Sequence, residues 1–278
     1  MGVGLPRRAL VSVSLVSHGH GQMVVDALEA LRASWISACE QEVRVWVTLN
    51  LPEPSLAQAL GAVQWPFELC VIENELPRGF GANHNQAFRR EHSAGGARYF
   101  VVMNPDVFWL VGGSDPFAQL RGAELGAEVG LLCPTQLDPQ GAVQDFARQI
   151  ITPWGLALRR LKALLGWRLS GVAGSVEVAD WVNGACMVWL STVFEALGGF
   201  DERYFMYCED TEICLRLQLR GWRMRGIGAE VIHEARRGSA RQPRHLAWHL
   251  RSLLRLWGSS SFWSYVWFRI VRNSGRVS

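Results

Sequence analysis

"GANHNQAFRREHSAGGARYFVVMNPDV" (residues 81–107) decides the fold. Its first part reads as a helix over 81–92. The strongly hydrophobic "ARYFVVMN" (97–104) reads as a strand that runs straight into "NPD". Upstream the same alternation repeats: "LVSVSLVS" (10–17) as strand, 21–35 as helix, 42–49 as strand, 54–63 as short helix and 67–73 as strand. Strands separated by helices at this spacing predict parallel strands in a doubly wound α/β sheet. Ligands of such sheets bind beyond the carboxyl ends of the strands. The segments to watch are therefore "SHGHG" (17–21), "NLPEP" (50–54), "ENELPRGFGANHN" (73–85) and "NPDV" (104–107).

Asp106 follows that strand directly, and Pro105 stiffens the turn that aims its carboxylate. A lone carboxylate there suits a hard cation that keeps waters and shares phosphate oxygens with a substrate. An Asx-turn, in which the side chain caps its own backbone, explains the same residue equally well. Gly79 and Gly81 precede a helix whose first turn carries Asn83, His84 and Asn85. Glycine permits close backbone approach to a ligand and a helix start favours anions, although a turn with an N-cap needs no ligand.

The second half is mixed. "VGLLCP" (129–134) and "WVNGACMVWL" (181–190) read as strands, "LALRRLKALLGWRL" (156–169) as a basic amphipathic helix, and "STVFEALGGF" as a helix ended by Gly198-Gly199. In "FMYCEDTEICLRL" (205–217), Glu209 and Asp210 fall at the start of a helix, where the dipole favours carboxylates. Asp210 is the better candidate for a general base, with Glu209 beside it. Glu212 and Arg216 have the i, i+4 spacing of a structural ion pair. His233 ends another β-rich run and gains a functional reading only if Asp106 lies near it.

Composition narrows the class. With 278 residues, 49% of them hydrophobic, the chain has material for one large domain or a main domain with an appendage. No apolar run reaches the roughly 18–20 residues of a membrane span. Six scattered cysteines without a CxxC pair argue for reduced thiols and a cytoplasmic setting. The net charge of +3 conceals an asymmetry: nine arginines and no acid follow Glu234, leaving 19 basic against 25 acidic residues, about −6, before that point. Such a tail calls for an anionic partner.

Taken together, "RGFGANHN", "FVVMNPDV", "WVNGACMV" and "LGGFDERYFMYCEDTEICLRLQLRGWRMRGIGAEVIHE" resemble the family-two inverting glycosyltransferases, especially their rhamnosyltransferase-like branch. The resemblance covers roughly residues 10–240, and the "GGFDERYFMYCED" block is its most specific part. It implies a GT-A fold, a nucleotide-diphosphate sugar donor and a divalent cation, Mg²⁺ or Mn²⁺. By the same resemblance Asp106 and His233 would hold the metal, and Asp210, with Glu209, would supply the base. Ser17, His18, Asn50, Gly79, Gly81, Asn85 and Asn104 would line the donor side, and Trp181, Gly184 and Ala185 the acceptor side. Two departures stand out. "TLNLPEP" (48–54) lacks the family's usual acid after the second strand, which leaves Glu53 as a substitute, and Asn104 replaces a first metal-motif Asp.

Residues 1–240 would then form the transferase domain, with 1–110 as the nucleotide-sugar half and 111–240 as the acceptor half. Residues 241–278 would form a helical extension. In "RHLAWHLRSLLRLW" (244–257), Leu246, Leu250, Leu253 and Trp257 form a stripe with Arg251 and Arg255 opposite, and "FWSYVWFRIVRN" (262–273) adds aromatics and more arginine. That pattern suits peripheral attachment to the inner face of a membrane, with packing on the body or on a second subunit of a homodimer as the alternative. No nucleic-acid reader motif accompanies the charge. The expected activity moves a sugar such as rhamnose or another deoxyhexose to a surface-glycan or lipid-linked acceptor. The alternative is a non-catalytic nucleotide-sugar-binding or membrane scaffold. A nucleotidyltransferase lacks its Gly-rich basic N-terminal loop here, and a processive synthase lacks its spans and its Gln-x-x-Arg-Trp motif.

Overall fold

β1 (Ala9–Ser17) is buried on both faces along most of its length, as a central strand must be. β2 (Val43–Leu49) and β4 (Ala97–Met103) flank it in parallel, and β3 (Glu68–Glu73) extends the sheet beyond β2. A computed structural model describes residues 8–34, 42–110, 116–122, 124–164, 175–235 and 243–274. Residue 35 of the first predicted helix, residues 165–169 of the basic helix and the domain boundary at 240/241 lie outside them, as does Cys39.

Between these strands run α1 (Gly21–Ser34), α2 (Pro54–Ala62) and α3 (Phe80–Ser93). The parallel registers place Ser17 beside Leu49, Leu49 beside Glu73, and Leu15 beside Met103. Four strand ends therefore open on one edge, and the loops singled out from the sequence meet there.

β5 (Val107–Trp109) and α4 (Pro116–Gly122) lead into the second half, which comprises β6 (Val129–Leu137), β7 (Ala147–Arg148), α5 (Pro153–Leu164), a 3₁₀ turn (Val176–Val178), β8 (Trp181–Val182), β9 (Cys186–Leu190), α6 (Ser191–Leu197), α7 (Glu209–Leu219) and β10 (Arg223–His233). The sheet order is β3-β2-β1-β4-β9-β6-β10-β5. β9 lies antiparallel between β4 and β6, β6 and β10 are parallel, and β5 closes the edge antiparallel to β10. The sheet is thus mostly parallel, with an antiparallel insertion at its centre. "WVNGACMVWL" is not one strand. It breaks at Asn183–Ala185, so β8 pairs with β7 in a small second sheet while β9 joins the main one. Two apolar layers cover the sheet, one around α1 and α2 (Val24, Leu28, Leu31, Leu56), the other around α3, α6 and α7 (Ala87, Phe194, Ile213, Leu217).

The tail forms α8 (Pro243–Trp257) and α9 (Ser260–Ser274). Phe262, Tyr265 and Leu256 are buried against Tyr204 and Leu215. On α8 the body-facing row is Ser252 and Leu256, whereas Leu246, Leu250 and Leu254 are exposed. Of the stripe read from the sequence, Leu246 and Leu250 are exposed, whereas Leu253 and Trp257 are half-buried and Trp257 packs against the body.

Candidate active site

Asp106 is placed by strand pairing rather than by a cap of its own. β4 ends at Met103 opposite Cys186, and the Asn104 N–H donates to the Ala185 carbonyl at 2.8 Å. The chain then turns, with the Val107 N–H donating to the Asn104 carbonyl, and β5 begins opposite His233. That register sets His233 Nε2 3.7 Å from Asp106 Oδ2, the proximity the histidine's functional reading required. Gln144 fixes the ring. Its Oε1 lies 3.1 Å from Nδ1, which must carry the hydrogen, so the Nε2 lone pair is left facing Asp106. Burial lowers the His233 pKa, against the opposing charge of Asp106, and so favours that neutral form.

Glu209 and Asp210 sit at the start of α7, after a corner in which both Tyr207 (φ 73°) and Cys208 (φ 64°) are left-handed. Two consecutive non-glycine residues in that region cost on the order of 1–3 kcal/mol each and persist only where surroundings hold them. Here α3 and α8 hold them through three contacts. The Phe80 N–H donates to the Phe205 carbonyl, Ser252 Oγ donates to the Met206 carbonyl, and the Tyr207 hydroxyl meets His245 Nδ1, each at 2.8 Å. Asp210 Oδ2 accepts the Gly184 N–H at 3.1 Å, and Oδ1 accepts the Thr211 N–H at 2.7 Å. Glu209 is 5% exposed, and its Oε2 has no hydrogen-bond partner. Burial, then the charge of Asp210, pushes the Glu209 carboxyl up to about 8. Burial likewise raises Asp210, while hydrogen bonds from Thr211 and Gly184 and the charge of Arg148 favour its ionised form.

One continuous path links the two acids: Asp106, the Asn104 backbone, Ala185, Gly184 and Asp210. A Cβ on Gly184 would lie 3.1 Å from the Phe80 ring and 3.6 Å from the Asp210 Cβ, so the loop is packed tight against the acid.

At the carboxyl ends of β1 and β2, Asn50 is a buried hub. It receives the Arg78 N–H, donates to the Arg78 carbonyl, accepts from Asn74 and lies 3.1 Å from His18 Nδ1. Ser17 Oγ accepts the His20 N–H, and Glu53 does reach the first loop, accepting the Gly19 N–H at 3.0 Å. Gly79 and Gly81 depart from the ligand-facing reading: the close approach they permit is to the chain itself. A Cβ on Gly79 would lie 2.6 Å from the Phe205 carbonyl oxygen, and one on Gly81 2.5 Å from the Phe200 Cβ. Asn85 is likewise committed, exchanging hydrogen bonds with both Phe200 backbone groups. These three residues bind the 200–205 loop to α3. Glu212 and Arg216 form the expected ion pair, at 2.8 Å.

Sequence reading missed several participants. Gln144 and Arg148 lie in "QDFARQI", which carries no motif. The Arg148 guanidinium stands 5.3 Å from the Trp181 ring centre. Asp180, buried just before Trp181, is held by the Tyr265 hydroxyl at 2.8 Å and by Arg269 at 2.7 Å. The tail thus braces both the segment that leads into β8 and the strained corner, which its amphipathic pattern alone did not signal.

Among the described residues no cluster of three His, Cys, Asp or Glu side chains could enclose a metal. Asp106 and the neutral Nε2 of His233 still fit a cation that takes its other ligands from water and a diphosphate.

No protein-family model matches the sequence. An N-acetylglucosaminyl-diphospho-decaprenol L-rhamnosyltransferase of Mycobacterium tuberculosis is 32% identical over 245 residues, 81% of this chain and 78% of that protein. The chain belongs to the rhamnosyltransferase-like glycosyltransferases. Rhamnosyltransferase WbbL of Escherichia coli is 26% identical, over 88% of this chain and 92% of its own length. Among solved structures, a mannosyltransferase of Pyrobaculum calidifontis in complex with GDP-Man and Mn²⁺ superposes with a TM-score of 0.58 at 17% identity, over 90% of this chain and 65% of that one. That likeness establishes the GT-A fold for this glycosyltransferase.

Proposed function

We propose that this glycosyltransferase moves rhamnose or another deoxyhexose, with inversion, from a nucleotide diphosphate to a lipid-linked or surface-glycan acceptor. The observation that carries the reading is the single path of contacts joining the Asp106–His233 pair to Asp210. Asp210 would take the proton of an acceptor hydroxyl as its oxygen bonds to the anomeric carbon. The bond from that carbon to the diphosphate breaks, and the nucleoside diphosphate leaves with the electron pair. A divalent cation bound at Asp106 and His233 would supply charge stabilisation for that leaving group. Gly184 and Thr211 orient Asp210, and its burial raises its affinity for a proton. Gln144 keeps the His233 lone pair on the Asp106 side. The relatives' names support the sugar and acceptor classes, and the neighbours' bound nucleotides and Mn²⁺ support the donor and cation classes.

The setting proposed is the cytoplasmic face of a membrane. No described helix is long and apolar enough to cross one. Support for surface attachment comes from Leu246, Leu250 and Leu254 on α8 and Trp267 on α9, all more than half exposed, with the ring of Trp154 of α5 tilted against that of Trp263 of α9.

The test is a thermal-shift panel of dTDP-, UDP- and GDP-linked sugars with Mn²⁺, Mg²⁺ or EDTA, followed by transfer to a polyprenyl-diphosphate-linked sugar. A ligand at about a hundred times its Kd should add about 2.7 kcal/mol of stability. A metal-dependent shift with one nucleotide supports the reading. No shift with any donor would defeat it.

A further inference from the structure

Beside the strained corner lies a cleft of about 330 Å³, floored by Phe205 and Trp248 and walled by Arg203, Arg251 and Arg255. A second hollow, of about 370 Å³, shares the same three arginines and continues toward Ser259. The carboxylates nearby are already engaged. Asp201 is bound to Arg203 at 2.6 Å and Glu202 to Arg89 at 3.0 Å. Among the described residues Arg251 and Arg255 have no carboxylate partner, although they stand one turn apart on α8, a like-charge spacing that disfavours the helix. Arg255 rests on the Tyr204 ring, with its guanidinium 5.8 Å from the centre. Two guanidiniums without a carboxylate, beside the Asp201-bound Arg203 on a concave surface, fit a phosphate group, which each can grip with two N–H donors.

The surroundings say what carries that phosphate. At about 100° per residue, Arg251 and Arg255 lie between the body-facing row of Ser252 and Leu256 and the exposed row of Leu250 and Leu254. An apolar strip therefore borders the arginines on the outer side. On the inner side, Phe205 at the cleft floor accepts the Phe80 N–H, and the Phe80 ring packs against Gly184 beside Asp210. Apolar strip, arginine cleft and buried acid follow one another in the order lipid, diphosphate, sugar.

We infer that Arg203, Arg251 and Arg255 form the binding site for the diphosphate of a polyprenyl-diphosphate-linked acceptor, whose lipid lies along the outer face of α8. This rests on the transferase reading above and adds to it the acceptor's anchoring group and its residues.

The test is flotation of the full chain with phosphatidylcholine vesicles that contain undecaprenyl diphosphate. Control vesicles carry the same charge as phosphatidylglycerol. Wild type should float preferentially with the diphosphate vesicles, and inorganic diphosphate should compete. Arg251→Gln should weaken that binding roughly fivefold and Arg251→Gln with Arg255→Gln roughly thirtyfold, the loss expected for one charge contact per arginine. The single variant guards against a fault in folding, since Arg251 is exposed whereas Arg255 packs on Tyr204. Arg251→Lys with Arg255→Lys should keep binding to phosphatidylglycerol and lose the preference for diphosphate. Equal binding to both vesicle types by wild type, or undiminished binding by both glutamine variants, would overturn the site. Nucleotide-sugar thermal shifts are read on the same proteins. Their absence in wild type would defeat the transferase reading while leaving the vesicle result to stand.

Discussion

The two acidic centres are built in opposite ways. Asp106 is placed by sheet register: β4 ends, β5 begins, and His233 arrives opposite because β5 and β10 pair. No left-handed residue is needed, and the carboxylate stays 17% exposed. Glu209 and Asp210 stand instead on a strained corner held by α3 and α8, with Asp210 also bonded to the Gly184 loop, and burial shifts both carboxyls upward. A cation needs only accessible charge, which local backbone can supply. A base needs a raised affinity for protons, and that requires desolvation, which only tertiary packing provides.

If that contrast is right, Asp210→Asn should have the largest effect. Transfer should fall on the order of 10² to 10⁴, the usual contribution of a general base. Donor thermal shifts should survive, and their loss would remove Asp210 from the role of base. Asp106→Ala should cost on the order of 10² to 10³ in rate through lost charge stabilisation of the leaving group. Unlike the Asp210 variant, it should also abolish the metal-dependent part of the donor shift. Gln144→Ala should leave the fold intact and weaken Mn²⁺ dependence about 10- to 100-fold, because an outer partner orients the metal-facing histidine. Titration of Mn²⁺ against the donor shift measures this, and an unchanged midpoint would break the assignment.

The pH prediction separates the centres further. Glu209 is held protonated to about pH 8 by burial and by Asp210, whereas the unfolded chain releases that proton in the ordinary glutamate range. Over that window the folded state binds more protons, so stability falls as pH rises. Glu209→Gln should flatten this fall in Tm. The rising limb of kcat/KM should stay in place, because Glu209 is uncharged while Asp210 ionises. A limb that moves to lower pH would show that Glu209 carries a charge beside the base. The smallest effect is expected from Tyr265→Phe. It removes one buried hydrogen bond to Asp180 and should cost about 1 kcal/mol, read as a Tm fall of a few degrees.

Much of this was legible in the chain. The strand–helix alternation of the first half, Asp106 at a strand end, the acids at the start of α7 and the Glu212–Arg216 pair all depend on neighbours within a few residues. The rest depends on partners far away. The split of "WVNGACMVWL" arises because β9 must turn to run antiparallel to β4 while β8 follows β7. Gly79 and Gly81 pointed to a ligand because a glycine in sequence does not reveal what fills the space beside it, and here that is Phe205 and Phe200.

Periodicity and local chemistry alone determined the α/β class, the edge of the sheet on which the singled-out loops meet, and the candidate acids at its strand and helix ends. Only the tertiary structure decided which of those acids would be dehydrated, which nitrogen of His233 faces Asp106, and that Tyr265, Arg269, His245 and Ser252 of the tail brace the site. The physical reason is range. Backbone preference and amphipathic spacing act within a turn or a strand, whereas burial and hydrogen-bond partnership come from segments that the fold brings together.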